Sequence, residues 1–437
     1  MHVVIIGNGI SGISAARAVR SLNQKCRISV ISDESDYFYS RTALMYVFMG
    51  QLKSEHLKPY PDSLWKSERI TLIRGLVEHI DTERKNILFK ALGDSSHTHF
   101  LPPDVLTYDR LVIACGSVPR PPLWPGAHLI GVCHLHTQGD LTKMESLMDG
   151  LKRAVIVGGG LTGVEMAEMM YARGVEVTML VREPGYFANV LPPEESELVS
   201  AHIQSHGIDL RLNTELKSIE DDGTGRVAGV VTSAGEHIAC GLVGLTIGVR
   251  PNVGWLEHTP LDIRDGILVD EYLRSSIPDI FAIGDCAELR SPDEGRQPIE
   301  AMWYTGRLMG ETVARTVCGH PTHYRPGVWY NSAKFFDMLY HAYGYVPNTW
   351  QAPYASLYWA HENGRRSFRL MYRLDTGAVT GMTSLGIALR QEVCTRWIEE
   401  GATIDFVIGH LVSAHFEGEL SRNWLGAIAG ALRGQMR

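Results

Sequence analysis

The chain opens on five mostly apolar residues, HVVII at 2–6, that stop at Gly7. A run this short, rich in β-branched residues and bounded by glycine, predicts a buried strand. Small residues from Ser11 to Arg20 then follow helical spacing, and RISVIS at 27–32 predicts a second strand. The same cadence returns at 154–181, as AVIVG, LTGVEMAEMMYARG and VEVTMLV. Two strand–helix–strand units of one design predict two related nucleotide-binding domains. Between them PPLWPG at 121–126 can continue neither helix nor sheet and reads as a crossing. The first sheet must be completed later in the chain, and SIPDIFAIG at 276–284 supplies the closing strand. From about residue 330 the pattern changes to aromatic-rich segments, WYNSAKFFDMLYHAYGY and SLYWAHENGRRSFRLMYRL, with hairpin-like turns at ENG and DTG. That change predicts a third, α+β domain.

Candidate chemistry sits where the first strand of each unit meets its helix. In GNGISG, Gly7 permits a tight turn, Gly9 lets the backbone approach a pyrophosphate, and Gly12 lets the helix pack close to the sheet. The acidic pair Asp33/Glu34 follows the second strand, about 20 residues on, where a carboxylate accepts ribose hydroxyls. The second copy, GGGLTG, holds Gly158, Gly160 and Gly163 in the same setting. Its second strand ends in Val181, Arg182 and Glu183. An arginine there pairs with a 2′-phosphate, which favours NADPH, whereas Glu183 would serve NADH. Two further segments carry signals: YDRLVIACGSVPR at 108–120 ends a strand in small residues, and DIFAIGDCAE at 279–288 places Asp285 just past a strand end.

Composition narrows the class. A chain of 437 residues fits two or three domains, each large enough for its own core. Lys plus Arg at 41 against Asp plus Glu at 49 leaves a net charge of −8, so no basic field exists to attract nucleic acid. No run of about 18 apolar residues occurs, and no leader-like segment precedes the first strand, which together point to the cytosol. The seven cysteines are scattered, without C-x-x-C spacing, and read as buried thiols of a reducing compartment.

The order GxGxxG, IACGSVP, GxGxxG with a following Glu165, then GD, resembles the FAD-dependent pyridine-nucleotide oxidoreductases over residues 1 to about 315. SDESDYFYSRTALMY at 32–46 and GRLMGE at 306–311 are most similar to the branch of ferredoxin and rubredoxin reductases, nitrite-reductase flavoprotein subunits and apoptosis-inducing-factor-like proteins. The resemblance implies α/β architecture: two Rossmann-like three-layer domains, for FAD (1–124 and 246–330) and NAD(P)H (125–245), plus a C-terminal α+β domain (331–437). It implies a hydride passed from NADH or NADPH to FAD, then electrons passed to an external acceptor, which is an iron–sulfur protein, a quinone or another small acceptor. It assigns Asp33 and Glu34 to the FAD ribose, Arg41 to an FAD contact, and Val77 to a backbone contact with adenine. Ala114, Cys115 and Gly116 form the small-residue turn, with Arg120 after it; Gly248 and Asp285 complete the cofactor positions. Glu165 falls beside the nicotinamide site.

Departures from the family pattern bear on mechanism. Residues 40–46 read Ser40, Arg41, Thr42, Ala43, Leu44, Met45 and Tyr46, so no thiol stands where the disulfide reductases and single-cysteine oxidases carry one. Disulfide and sulfenate chemistry both need a thiolate there and are disfavoured. Cys115 and Cys286 lie in cofactor motifs, but neither has a second cysteine at short spacing to act as a resolving partner. The branch pairs its glutamate with a lysine; Tyr46 replaces that lysine, which leaves Glu165 without its usual cation. Trp303 or Tyr304, in IEAMWYTGR, would line the acceptor side of the flavin at the start of a helix. The tail NWLGAIAGALRGQMR places Trp424, Leu425, Ile428 and Leu432 on one helical face. Packing of that face on the chain's own body or a partner is favoured over interfacial membrane binding. The rival reading is an apoptosis-inducing-factor-like assembly or signalling flavoprotein, or the electron-input subunit of a larger complex; a homo-oligomer is also open. No metal ligand set stands out.

Overall fold

Strands buried on both faces and joined through helices pair in parallel, and the first sheet is built that way. In the computed structural model, which describes residues 1–92, 104–293, 295–416 and 422–436, His2–Ile6 lies between Arg27–Ser32 and Arg110–Ile113, all parallel. Ile70–Asp81 adds beyond Arg27–Ser32, and Ile280–Ala282 beyond Arg110–Ile113. The strand expected from SIPDIFAIG is thus one edge of this sheet. Asn86–Ala91 and Asp104–Thr107 extend the other side in antiparallel fashion.

The chain divides into two compact units. The first comprises Met1–Arg120, His136–Gln138 and Gly248–Pro326, and the second Pro121–Leu135, Gly139–Ile247 and Gly327–Arg437. In the first, helix Trp303–Val317 lies against helix Ile10–Leu22. A Cβ at Gly310 would stand 2.4 Å from the Ser11 carbonyl oxygen, so glycine is what permits the close crossing.

The second unit repeats the parallel design in five strands, with Arg153–Val157 between Glu176–Leu180 and Leu242–Leu245. Its C-terminal part is a five-stranded antiparallel sheet whose last two hairpins turn at the ENG and DTG segments. That sheet packs with Trp397, Leu425, Ile428 and Leu432 in its own core. The apolar face of the tail helix Leu425–Gln435 is therefore buried in this chain, so no such face is left for a membrane surface. No helix among the described residues is long and apolar enough to cross a membrane.

The C-terminal segment does not stand apart as a separate body, because it is tied to the second dinucleotide fold. Arg369, on strand Ser367–Arg373, is 1% exposed, and its Nε and Nη2 donate to the two carboxylate oxygens of Glu195 at 2.7 and 2.8 Å. Nη2 also reaches Glu194 at 2.9 Å and Nη1 reaches Ser356 Oγ at 2.8 Å. The rings of Trp350 and Tyr358 flank the guanidinium at 5.1 and 4.5 Å. Phe335 packs edge-on against Tyr186 and Phe187.

Candidate active site

The two glycine loops share one steric design. Gly7 has φ +107, and a Cβ there would stand 2.1 Å from the Ala114 carbonyl oxygen; Gly158 has φ +127, with Thr246 O at 2.5 Å from its Cβ. Both turns need a left-handed residue with no side chain. A Cβ on Gly12 would lie 2.0 Å from Gly7 O, and one on Gly163 would lie 2.6 Å from Gly158 O, so each helix starts as close to its loop as a backbone allows. Gly9 and Gly160, the residues before each helix, have nothing within 4 Å of a built Cβ. Open space at that one position is what a phosphate approaching the helix amino end requires.

In the first unit this loop borders a cleft of about 460 Å³. Of the expected residues, Gly7, Gly9, Asp33, Glu34, Arg41, Val77, Ala114, Cys115, Gly116, Asp285 and Trp303 all line it. Gly12 lies beneath the loop rather than on the cleft. Tyr46, Arg120 and Gly248 are not among its described lining residues. Arg120 is exposed and its N–H bonds Gly248 O at 3.0 Å, so these two hold the ribbon between Ser117–Pro119 and Val249–Pro251. Tyr46 sits half-buried in the helix Leu44–Phe48.

Sequence reasoning did not single out Asn8, Tyr39, Ser117 or His136, which line the same cleft. Asn8 Nδ2 donates to Ser35 O and Tyr37 O at 2.8 and 3.2 Å, which pins the loop after the second strand. Glu34 accepts from both Tyr39 and Arg41, and Arg41 also donates to His136 O at 2.6 Å. Ser117 Oγ donates to Asp285 Oδ2 at 2.7 Å. Burial pushes the Asp285 carboxyl up, against the pull of that hydrogen bond and of His136 and Arg41. Helix Trp303–Val317 begins at the cleft with Ala301, Met302 and Trp303, so its positive dipole end favours negative charge there.

Cys115 and Cys286, which have no second cysteine at short spacing, come near one another in the fold. They lie 171 residues apart in sequence, yet interaction with Cys286 and then burial push the Cys115 thiol well up. Cys115 Sγ also contacts Asn252 O at 3.2 Å and Cys286 Sγ contacts Ile283 O at 3.3 Å. Strand pairing between Arg110–Ile113 and Ile280–Ala282 brings the two turns together, which local spacing cannot reveal.

In the second unit, Glu165 lies in helix Leu161–Ala172, half-buried. Burial, and next the charge of Glu168, raise its carboxyl to about 7, and Lys334 opposes them. Lys334 Nζ donates to Glu168 Oε1 at 2.5 Å. The expectation that Glu165 has no cation nearby is therefore corrected: the C-terminal sheet supplies one, from strand Tyr330–Phe335. At the end of the second strand, Arg182 is exposed and its Nε donates to Glu183 Oε1 at 2.8 Å. Glu183 Oε2 lies 3.6 Å from a Cβ built on Gly159, so the carboxylate faces the glycine loop and the guanidinium points outward.

The raised Glu165 carboxyl has a pH consequence. Between about pH 4.5 and 7 the unfolded chain loses this proton while the folded chain keeps it, so the group lowers stability across that window. Above it the loss is constant, at about 3 kcal/mol. Glu165→Gln, which mimics the protonated form, is expected to raise the unfolding temperature at about pH 8 and much less at about pH 5. Equal gains at both would show that the carboxyl ionises in its ordinary range.

A family model described as pyridine nucleotide-disulphide oxidoreductase matches residues 1–310. The chain belongs to this family. It is 32% identical to rhodocoxin reductase of Rhodococcus erythropolis over 342 residues, covering 78% of this chain and 77% of that protein. Rubredoxin-NAD(+) reductase of Pseudomonas putida is 29% identical over 324 residues, 74% of this chain and 81% of its own. Among solved structures, the ferredoxin reductase for the CYP199A2 system of Rhodopseudomonas palustris matches with a TM-score of 0.78 and 27% identity, over 88% of this chain and 91% of that one. The protein is an FAD-dependent NAD(P)H oxidoreductase with two Rossmann-like folds. The first-unit cleft fits FAD: it joins open space at Gly9, a carboxylate pair after the second strand and the carboxyl of Asp285. FAD held there would supply a hydride acceptor for reduced nicotinamide and a source of electrons, singly or in pairs, for an acceptor.

Proposed function

We propose that this protein transfers electrons from NADH to a small iron–sulfur protein of the ferredoxin or rubredoxin class. The observation that carries the reading is likeness to reductases of rhodocoxin and rubredoxin over about three quarters of their length, in a chain with no cysteine at positions 40–46. In this reading Gly7, Gly9, Asp33, Glu34, Arg41, Val77, Asp285 and Trp303 hold FAD, and Glu165 stands beside the nicotinamide. Lys334, paired with Glu168, places a cation near Glu165 and so weighs against the assembly or signalling alternative, which rested on Glu165 having none. The free cysteines fit a reducing, cytoplasmic setting. Anaerobic mixing with NADH should reduce the flavin, and added ferredoxin or rubredoxin should then reoxidise it with bleaching of the iron–sulfur absorbance. Reoxidation by quinone or oxygen alone would overturn the assignment of acceptor.

NADH replaces the preference for NADPH that Arg182 suggests, because Glu183 faces the glycine loop and occupies Arg182. An acid at this strand end accepts the ribose hydroxyl and repels a 2′-phosphate. Glu183→Ala is expected to weaken NADH by about 1.5–3 kcal/mol, as for a lost hydrogen bond to a charged group. Arg182→Ala should leave NADH within a few-fold. Tighter binding of NADPH than NADH, lost in Arg182→Ala, would reverse the assignment.

A further inference from the structure

Helix Pro193–Ser205 carries His202 on its last turn, and His206 caps it, four residues on and so on the same face. Opposite them, the hairpin of Tyr330–Phe335 and Met338–Gly344 turns on Phe336 and Asp337, since Phe335 pairs with Met338. The turn sets Asp337 Oδ1 2.8 Å from His202 Nε2 and 3.3 Å from His206 Nε2. One nitrogen or oxygen from each of the three residues lies within 4.8 Å of the other two.

The arrangement differs from a simple histidine–carboxylate pair in bringing two imidazole nitrogens to one carboxylate oxygen. His206 Nδ1 is 2.9 Å from the His202 carbonyl oxygen, which places the proton on Nδ1 and leaves the Nε2 lone pair facing Asp337. A lone pair against a carboxylate oxygen calls for a positive charge between them, either a proton on Nε2 or a bound cation. His202 Nε2 is buried, and the atom nearest it across the turn is Asp337 Oδ1 at 2.8 Å. The rings are held in place: His206 stacks on Phe336 at 4.4 Å, with Tyr171 edge-on to both.

We propose that His202, His206 and Asp337 form a binding site for a divalent transition-metal ion of the zinc class. Zinc bonds of about 2.0–2.2 Å place tetrahedral ligand atoms about 3.3 Å apart, close to the separations of Asp337 Oδ1 from the two nitrogens. Two imidazoles and one carboxylate suit Zn²⁺ or Co²⁺; Mg²⁺ and Ca²⁺ favour sets of oxygen ligands alone. Three protein ligands leave a coordination position for water or for a donor from a partner. The ion would clip the C-terminal hairpin to the last turn of a dinucleotide-domain helix. Redox chemistry has no part in the proposal, which is independent of the electron acceptor.

The test uses untagged, EDTA-dialysed protein with its FAD in place. Titration with Co²⁺ should produce the visible d–d bands of a tetrahedral site at one ion per chain, and Zn²⁺ should displace it and raise the unfolding temperature. Asp337→Asn keeps the shape of a 63% exposed side chain and should fold normally. It and His206→Gln should each weaken Co²⁺ binding at least roughly tenfold, the scale at which even outer-shell changes act on metal sites. Flavin absorbance monitors folding in each variant. No d–d bands in the wild-type protein, or bands that persist unchanged in both variants, would overturn the proposal.

Discussion

Gly9→Ala is expected to yield a folded chain that fails to keep FAD, whereas Gly12→Ala should yield little folded protein at all. Gly9 has φ −70 and ψ −176, which any residue adopts, and its added methyl meets no protein atom within 4 Å. Its cost therefore falls on the ligand, whose pyrophosphate needs that space. A loss of at least about 1.4–2.8 kcal/mol in FAD affinity, tenfold to a hundredfold, is the expected scale. At Gly12 the same methyl would stand 2.0 Å from Gly7 O, against backbone that cannot turn aside as a side chain would. Overpacking of that kind costs about 3 kcal/mol or more, a large part of a typical total stability. Far-UV circular dichroism and the flavin-to-protein absorbance ratio after gel filtration separate the two outcomes. Wild-type flavin content in Gly9→Ala would remove the pyrophosphate from this loop.

Arg369→Met should destabilise the second unit by about 3–5 kcal/mol, the scale for breaking a buried ion pair from one side. The guanidinium is the bidentate partner of Glu195, which is 0% exposed. Without it, burial pushes the Glu195 carboxyl further up, and the group must take a proton or unfold its surroundings. Arg369→Met with Glu195→Gln should recover much of the loss, because the uncompensated charge has gone. Thermal unfolding followed by circular dichroism measures both. An unfolding temperature for Arg369→Met within a few degrees of wild type, or a double variant no better than the single, would mean that the pair is not what ties the C-terminal sheet to the dinucleotide fold.

The nucleotide-binding character of the chain was legible in its residues because it is local. A strand, a glycine turn and a helix amino end occupy about a dozen consecutive residues, and their sterics are settled by neighbours in sequence, as Gly7 and Gly12 illustrate. The order of GNGISG, IACGSVP, GGGLTG and GDC along the chain was likewise enough to indicate the family. What pairs across long separations was not legible. Arg369 reads as one more polar residue in an aromatic strand until Glu195, 174 positions away, is placed against it. Lys334 meets Glu168 across 166 residues, so the cation near Glu165 came from a segment that sequence reasoning left without a role. Arg182 and Glu183 are adjacent, and composition could not say which of them faces the glycine loop; side-chain direction at the strand end decided it. Local sterics are written in consecutive residues, whereas charge partners, thiol pairs and the His202–His206–Asp337 cluster exist only where the sheets bring distant turns together.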